Sequence, residues 1–152
     1  MSTAEHFKMD FFELGDKTSL ICADASVTEA VRNTLRELGY KFHIADTSDV
    51  AIERTRYTAY DIIVVQESFG SGTLTSNPVL NYFCSLPMSQ RRLSMLVLVG
   101  TAFKTLDAMQ AFAHSVHLVV NPADLRNLTP ILKKSRTEFD DLYRGYREAL
   151  IP

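Results

Sequence analysis

Apolar and polar positions along this chain alternate between short buried runs and segments of helical spacing. The first run, Thr18-Ser-Leu-Ile-Cys-Ala23, predicts a buried strand. Ser26, with Glu29 three residues later, has the pattern of a capping box. Val27, Ala30, Val31, Thr34, Leu35 and Leu38 then recur on one helical face. Gly39 ends that helix, since it takes the left-handed conformation a C-terminal cap requires. Lys41–Asp46 predicts a second strand, and Thr47 or Ser48 caps a second helix reaching about Tyr57. In Asp61-Ile-Ile-Val-Val-Gln66 the four consecutive β-branched residues suit a strand covered on both faces, as in a parallel sheet.

Residues 67–76 read as a flexible loop. Asn77-Pro78 then pairs an N-cap with a proline at the first helical position, and the helix it opens stops before Pro87. Leu93–Val99 is a fourth apolar strand, closed by Gly100 and Thr101. A helix over about Thr105–His114, a fifth strand over Val116–Val120, Asn121-Pro122 and a long last helix complete the chain. Five strands alternating with five helices predict an open, doubly wound α/β domain. Its sheet is parallel with helices on both faces, in the flavodoxin-like order 2-1-3-4-5. The chain divides into an N-terminal extension, 1–17, and the domain itself, 18–152, whose last helix occupies about 127–150.

Composition narrows the function classes. The 152 residues are 46% hydrophobic and 22% charged, which fits one domain with its own core and not a disordered or fibrous chain. A net charge of −2 gives no reason to expect nucleic acid or an anionic membrane as partner. No apolar run approaches the ~20 residues of a spanning helix. The N-terminus lacks the basic-then-apolar layout of a signal peptide, so a cytoplasmic location is expected. Cys22 and Cys84 lie far apart in apolar contexts, outside any CxxC pair, and read as two buried free thiols.

Three short motifs stand in order along this framework. Leu38-Gly39-Tyr40 matches an "LG[FY]" at the end of a first helix. Ala51 followed nine residues later by Tyr60-Asp61 matches an "A…YD" before a third strand. Val119-Val-Asn-Pro122 lies where a "[VL]-x-K-P" would stand. Over about residues 18–135 the chain resembles the receiver domain of two-component response regulators. The resemblance implies five chemical positions at the carboxyl ends of the strands. An acid pair and an acceptor Asp would bind Mg²⁺, and a Ser/Thr and a Lys would contact the phosphoryl group. Aligned here, the acid pair falls at Cys22-Ala23, with Asp24 the nearest carboxylate. The acceptor falls at Gln66, the hydroxyl at Thr101 or Gly100, and the Lys at Asn121.

A carboxamide is uncharged and a poor nucleophile. Mg²⁺ demands charged oxygen ligands, and neutral Asn cannot pair with a phosphoryl anion as Lys does. The resemblance thus implies a degenerate receiver, not phosphorylated on Asp, with no catalytic, cofactor or metal site. Its expected role is a protein–protein interaction module in bacterial signalling. The partners implied are kinases, regulators or a second copy of itself, met through the face of the fourth helix, fifth strand and last helix. Leu118 stands where true receivers carry a toggling aromatic. Glu67, one residue past the acceptor position, reads as a solvated loop carboxylate. The alternative is a small-ligand binder or enzyme using the crevice of Asp24, Gln66, Thr101 and Asn121.

The last helix adds a second surface. Leu128, Leu132, Ser135, Phe139, Leu142, Tyr146 and Ala149 are spaced 4, 3, 4, 3, 4, 3, a heptad seam. Asn127 or Thr129 can cap it, with Pro130 in the first turn. From there to Ala149 it runs about 30 Å. By the resemblance that is some two turns longer than a receiver needs, so Phe139, Leu142, Tyr143, Tyr146 and Leu150 are expected to overhang the sheet. Either a second copy covers them, as a homodimer, or the apolar stretch His6–Phe12 folds back over them.

Other motifs carry less. Gly70-Ser-Gly72 lacks the Lys-Ser/Thr ending of a phosphate loop. His114 and His117 lack a nearby third metal ligand. Ser26 and Ser68 sit in no GxSxG elbow. Arg91-Arg92 could grip an anion, but it precedes strand four, at the amino edge of the sheet, whereas ligands of such folds favour the opposite edge, so it reads as a solvated or salt-bridged pair.

Overall fold

The computed structural model describes residues 12–71 and 77–150, leaving aside the side chains of 71, 146–148 and 150. Most of the predicted N-terminal extension, half of the predicted loop and the side chains of Tyr146 and Leu150 therefore lie outside the described residues. Five strands form one sheet: β1 (Thr18–Cys22), β2 (Lys41–Ile44), β3 (Ile62–Gln66), β4 (Met95–Val99) and β5 (Leu118–Val120). The order is β2-β1-β3-β4-β5, as predicted, and every pair is parallel. The helices are α1 (Ala25–Glu37), α2 (Ser48–Tyr57), α3 (Pro78–Cys84), α4 (Met88–Arg91), α5 (Ala108–Ala113) and α6 (Leu128–Leu150).

Alternation along the strands divides the apolar residues into two cores. Leu20, Cys22, Ile63, Val65, Leu98 and Val119 face α2, α3 and α5, where Ala51, Val79, Phe83 and Ala111 meet them. Ile21, Ile62, Val64, Val97, Leu118 and Val120 face the other way, onto Val27, Val31 and Leu35 of α1 and Leu128, Leu132 and Phe139 of α6. Below the sheet, Asp61 joins three strands. Its N–H donates to Thr18 O at 2.9 Å, its carboxylate accepts from Thr18 N at 2.9 Å, and its carbonyl accepts from Met95 N at 2.9 Å. Arg136 of α6 donates to the same carbonyl at 2.5 Å.

Several boundaries differ from expectation for identifiable reasons. α1 is capped by Asp24, whose side chain accepts from Val27 N, and not by Ser26, which lies inside the first turn. Gly39, at φ 83°, closes that helix as predicted, and Tyr40 N donates back to Leu35 O at 2.8 Å. α5 starts three residues late. Leu106 adopts φ 69°, which no helix continues through, and Asp107 caps the helix beyond it. α4 is one turn, too short to leave a periodic signal. α6 has no cap at Asn127; a 3₁₀ segment, Pro122–Asn127, runs directly into it.

The heptad seam is corrected in part. Phe139 does not overhang: it is 4% exposed, with its ring 4.9 Å from His117 and 4.7 Å from Tyr143. Tyr143 is itself partly buried against that core, whereas Leu142 is 70% exposed. At the other end of the chain, Phe12 stacks on His43 at 4.0 Å and meets the edge of Tyr60 at 6.1 Å. It packs on the α2/α3/α5 face of the sheet, opposite the face that α6 covers.

Candidate functional site

β1, β3, β4 and β5 end together, and the turns after them frame a crevice at the carboxyl edge of the sheet. Cys22, the last residue of β1, is fully buried as expected, whereas Cys84, at the end of α3, is exposed and not buried. Burial pushes the Cys22 thiol pKa far up, because an apolar core disfavours the thiolate. Ala23 brings no polar group to the crevice. The carboxylate that reaches it is Asp24, held by its role as the α1 cap.

Asp24 and Gln66 form a two-point clasp. Asp24 N donates to Gln66 Oε1 at 2.7 Å, and Gln66 Nε2 donates to Asp24 Oδ2 at 2.9 Å. The other carboxylate oxygen, Oδ1, accepts from Ser26 Oγ at 2.9 Å and Val27 N at 3.0 Å. These donors hold the Asp24 carboxyl below the usual carboxylate range, the Val27 amide first and the Gln66 carboxamide next.

Glu67 behaves otherwise than expected. It is not a solvated loop carboxylate: Oε1 accepts from Thr101 N at 3.0 Å and from Thr101 Oγ1 at 3.2 Å. Gly100 makes this approach possible, since a Cβ there would lie 2.5 Å from Glu67 Oε2 and 2.7 Å from Phe103 Cε2. Alternation along β3 did not reveal this, because the strand ends at Gln66 and the direction of the next side chain is set by the turn. That turn is fixed by Asn77, whose sequence signal was only that of a cap. Its amide accepts from Val79 and Leu80 N at 3.1 and 3.2 Å, and donates to the carbonyls of Gln66 and Glu67 at 3.0 and 3.2 Å.

Asn121 occupies the far wall. Its Nδ2 donates to Phe103 O at 2.9 Å and Thr101 O at 3.3 Å, and its Oδ1 accepts from Ala123 N at 3.0 Å. It ties the loop after β4 to the turn after β5. The structure therefore brings Asp24 to Gln66, and Thr101 to Glu67 and Asn121. Cys22 and Ala23 stay out of the polar contacts.

A Mg²⁺ ion needs several charged oxygens with open lone pairs. Asp24 has both oxygens hydrogen-bonded, Gln66 offers a neutral amide oxygen already engaged, and Glu67 is turned onto Thr101. This donor set does not fit the ion. Among the described residues, no three or more His, Cys, Asp or Glu gather as metal ligands.

No family model matches the chain, and no curated protein matches it. Solved structures do. A protein described as a response regulator from Chloroflexus aurantiacus matches at TM-score 0.64 and 14% identity, over 80% of this chain and 98% of that one. The receiver domain of a Francisella response regulator matches at 0.61 and 11%, over 82% and 98%. The receiver domain of a Pseudomonas aeruginosa sensor histidine kinase, which holds magnesium in its cleft, matches at 0.60 and 16%, over 81% and 99%. This chain has the flavodoxin-like fold of receiver domains, with a long C-terminal helix.

Proposed function

We propose that this domain is a pseudo-receiver: a protein–protein interaction module of bacterial signal transduction that is not phosphorylated on Asp and is not an enzyme. The observation that carries the reading is the Asp24–Gln66 clasp. The position from which a receiver's acceptor carboxylate would act holds a carboxamide, and the neighbouring acid is bound to it. Glu67 supports the same reading. Thr101, at the position that would meet a phosphoryl group, already hydrogen-bonds a carboxylate of the chain itself. The arrangement of this edge then needs no phosphodonor. In the crevice the polar side chains bond one another, which favours this reading over a ligand or substrate site. Incubation with acetyl phosphate and Mg²⁺ should leave the intact mass unchanged; a Mg²⁺-dependent acyl-phosphate adduct overturns the reading.

The interaction face lies on the β5 side. Leu106, Met109, Phe112 and Leu142 are 47, 76, 82 and 70% exposed. Leu106 and Leu142 line a cavity of about 220 Å³ between α5, β5 and α6. Large apolar side chains left in water gain when something covers them. A signalling protein or a second copy of this chain would cover them, and a homodimer is the form proposed here. Phe112→Glu with Leu142→Glu should give a folded monomer in analytical ultracentrifugation. A wild-type chain already monomeric at high micromolar concentration excludes the dimer.

A further inference from the structure

The β5 flank carries both a hole and a knob. The hole is the cavity of about 220 Å³ between α5, β5 and α6, whose apolar walls include Leu106, Ala108, Ala111, Leu118, Phe139 and Leu142. Asp107, His117, Ser135 and Glu138 complete the lining, and three of these are already engaged. Asp107 accepts from Gln110 N at 3.0 Å as the α5 cap, His117 accepts from Leu96 N at 3.0 Å, and Glu138 pairs with Lys134 at 4.0 Å. What the cavity offers an occupant is therefore chiefly apolar and aromatic surface. His117 and Phe139 already meet there edge to face at 4.9 Å, an arrangement that a third ring extends. A cavity of about 150 Å³ holds benzene, so this one has room for a phenyl group.

The knob is Phe112. It is 82% exposed and follows Ala108 by four residues, on the same side of α5. Its own ring is not part of the cavity wall. Ala108 is exposed and adds only a methyl group to that wall, so a ring from another molecule can pass beside it. When two α5 helices meet antiparallel about a two-fold axis, the Phe112 of each stands over the Ala108 of the other, because a two-fold contact is reciprocal. The rim is set before contact: Leu106 N donates to Val119 O at 3.1 Å, which lowers the ordering that association requires. Leu106, Met109, Phe112 and Leu142 expose roughly 500 Å² per copy, so a pair removes about 1,000 Å² from water, where specific interfaces begin. We propose that in the homodimer the Phe112 of each copy seats in this cavity of the other, between Ala108 and Phe139. This rests on the dimer reading of the flank and adds to it which side chain enters, and where.

Knob and hole can be removed separately, at residues the fold leaves exposed. Phe112→Ala removes the ring, and Ala108→Phe fills the mouth of the cavity. In sedimentation velocity each variant alone should self-associate roughly tenfold or more weakly than wild type, with its circular dichroism unchanged. An equimolar mixture of the two should associate several-fold more tightly than either alone, since one intact ring then meets one intact cavity. A mixture no tighter than its components, or a Phe112→Ala chain that dimerises like wild type, overturns this seat while leaving a dimer of other geometry. A wild-type chain monomeric at high micromolar concentration overturns the dimer and the seat together. None of these outcomes bears on phosphorylation, which the acetyl phosphate experiment reads by itself.

Discussion

The carboxyl edge of the sheet and its β5 flank treat water in opposite ways. At the edge, Asp24 and Gln66, and Glu67 and Thr101, are polar groups turned onto one another, and Asn121 is tied to the backbone around them. On the flank, Met109, Phe112 and Leu142 are apolar groups turned outward. Polar side chains that satisfy each other offer little to a metal or phosphoryl group, because binding must first break the bonds they already make. Exposed apolar side chains gain only when something covers them. The difference supports the proposed reading, in which the domain acts through contact on the flank and not through chemistry at the edge.

The sharpest test of that contrast separates two residues three apart on α6. Phe139→Ala should cost about 3–5 kcal/mol in urea unfolding, because it empties a site packed by His117 and Tyr143. Leu142→Ala should cost about 0.5 kcal/mol or less and act on association instead. Comparable losses at both would erase the boundary between core and flank. Next in size is Gly100→Ala, expected to cost about 1–3 kcal/mol by overpacking. Its Cβ meets both Glu67 and buried Phe103. Adding Glu67→Ala should relieve only part of that loss; full relief would place all of the crowding on the carboxylate.

Smaller again, Asp24→Ala should lower stability by about 1 kcal/mol through the lost α1 cap. Ser26→Ala should do less in the same thermal melt; the reverse ranking would restore Ser26 as the cap. The smallest effect is on pH. Burial, aided by Arg91 and Arg136, holds the His117 pKa down to about 4, and its Nδ1 accepts from Leu96 N at 3.0 Å. The unfolded chain takes up that proton near pH 6.5 and the folded one near 4. Stability is therefore full above pH 6.5 and falls as pH drops from 6.5 toward 4. The fall is on the order of 1 kcal/mol, since solvent screening weakens the effect on a partly exposed ring. His117→Gln should flatten the slope in that window; an unchanged slope assigns it to other groups.

The strand order was legible because burial on both faces writes continuous β-branched runs, as at Ile62–Val65. Asn77-Pro78 was legible because cap and proline are adjacent and local. The cap of α1 was misread because Asp24 and Ser26 are both competent caps, and only the turn after β1 chooses between them. Phe139 was misplaced because a heptad seam states that a helix face is covered, and not by what. Glu67 could not be oriented because its direction depends on Asn77 and on the bare Cα of Gly100, one distant in sequence by ten residues and the other by thirty-three.

The lengths of the strands carry a last consequence. β1, β3 and β4 have five residues each, whereas the two outer strands, β2 and β5, have four and three. β2 also opens on Lys41, which is ion-paired to Asp16 at 2.9 Å. Short outer strands are poor templates for another chain's backbone, and on β2 the charge of Lys41 adds to this, so strand addition is disfavoured at both edges. Crowded solutions of this domain should resist amyloid-like stacking. A partner that recognises it is directed away from strand addition and toward the side chains of its helices.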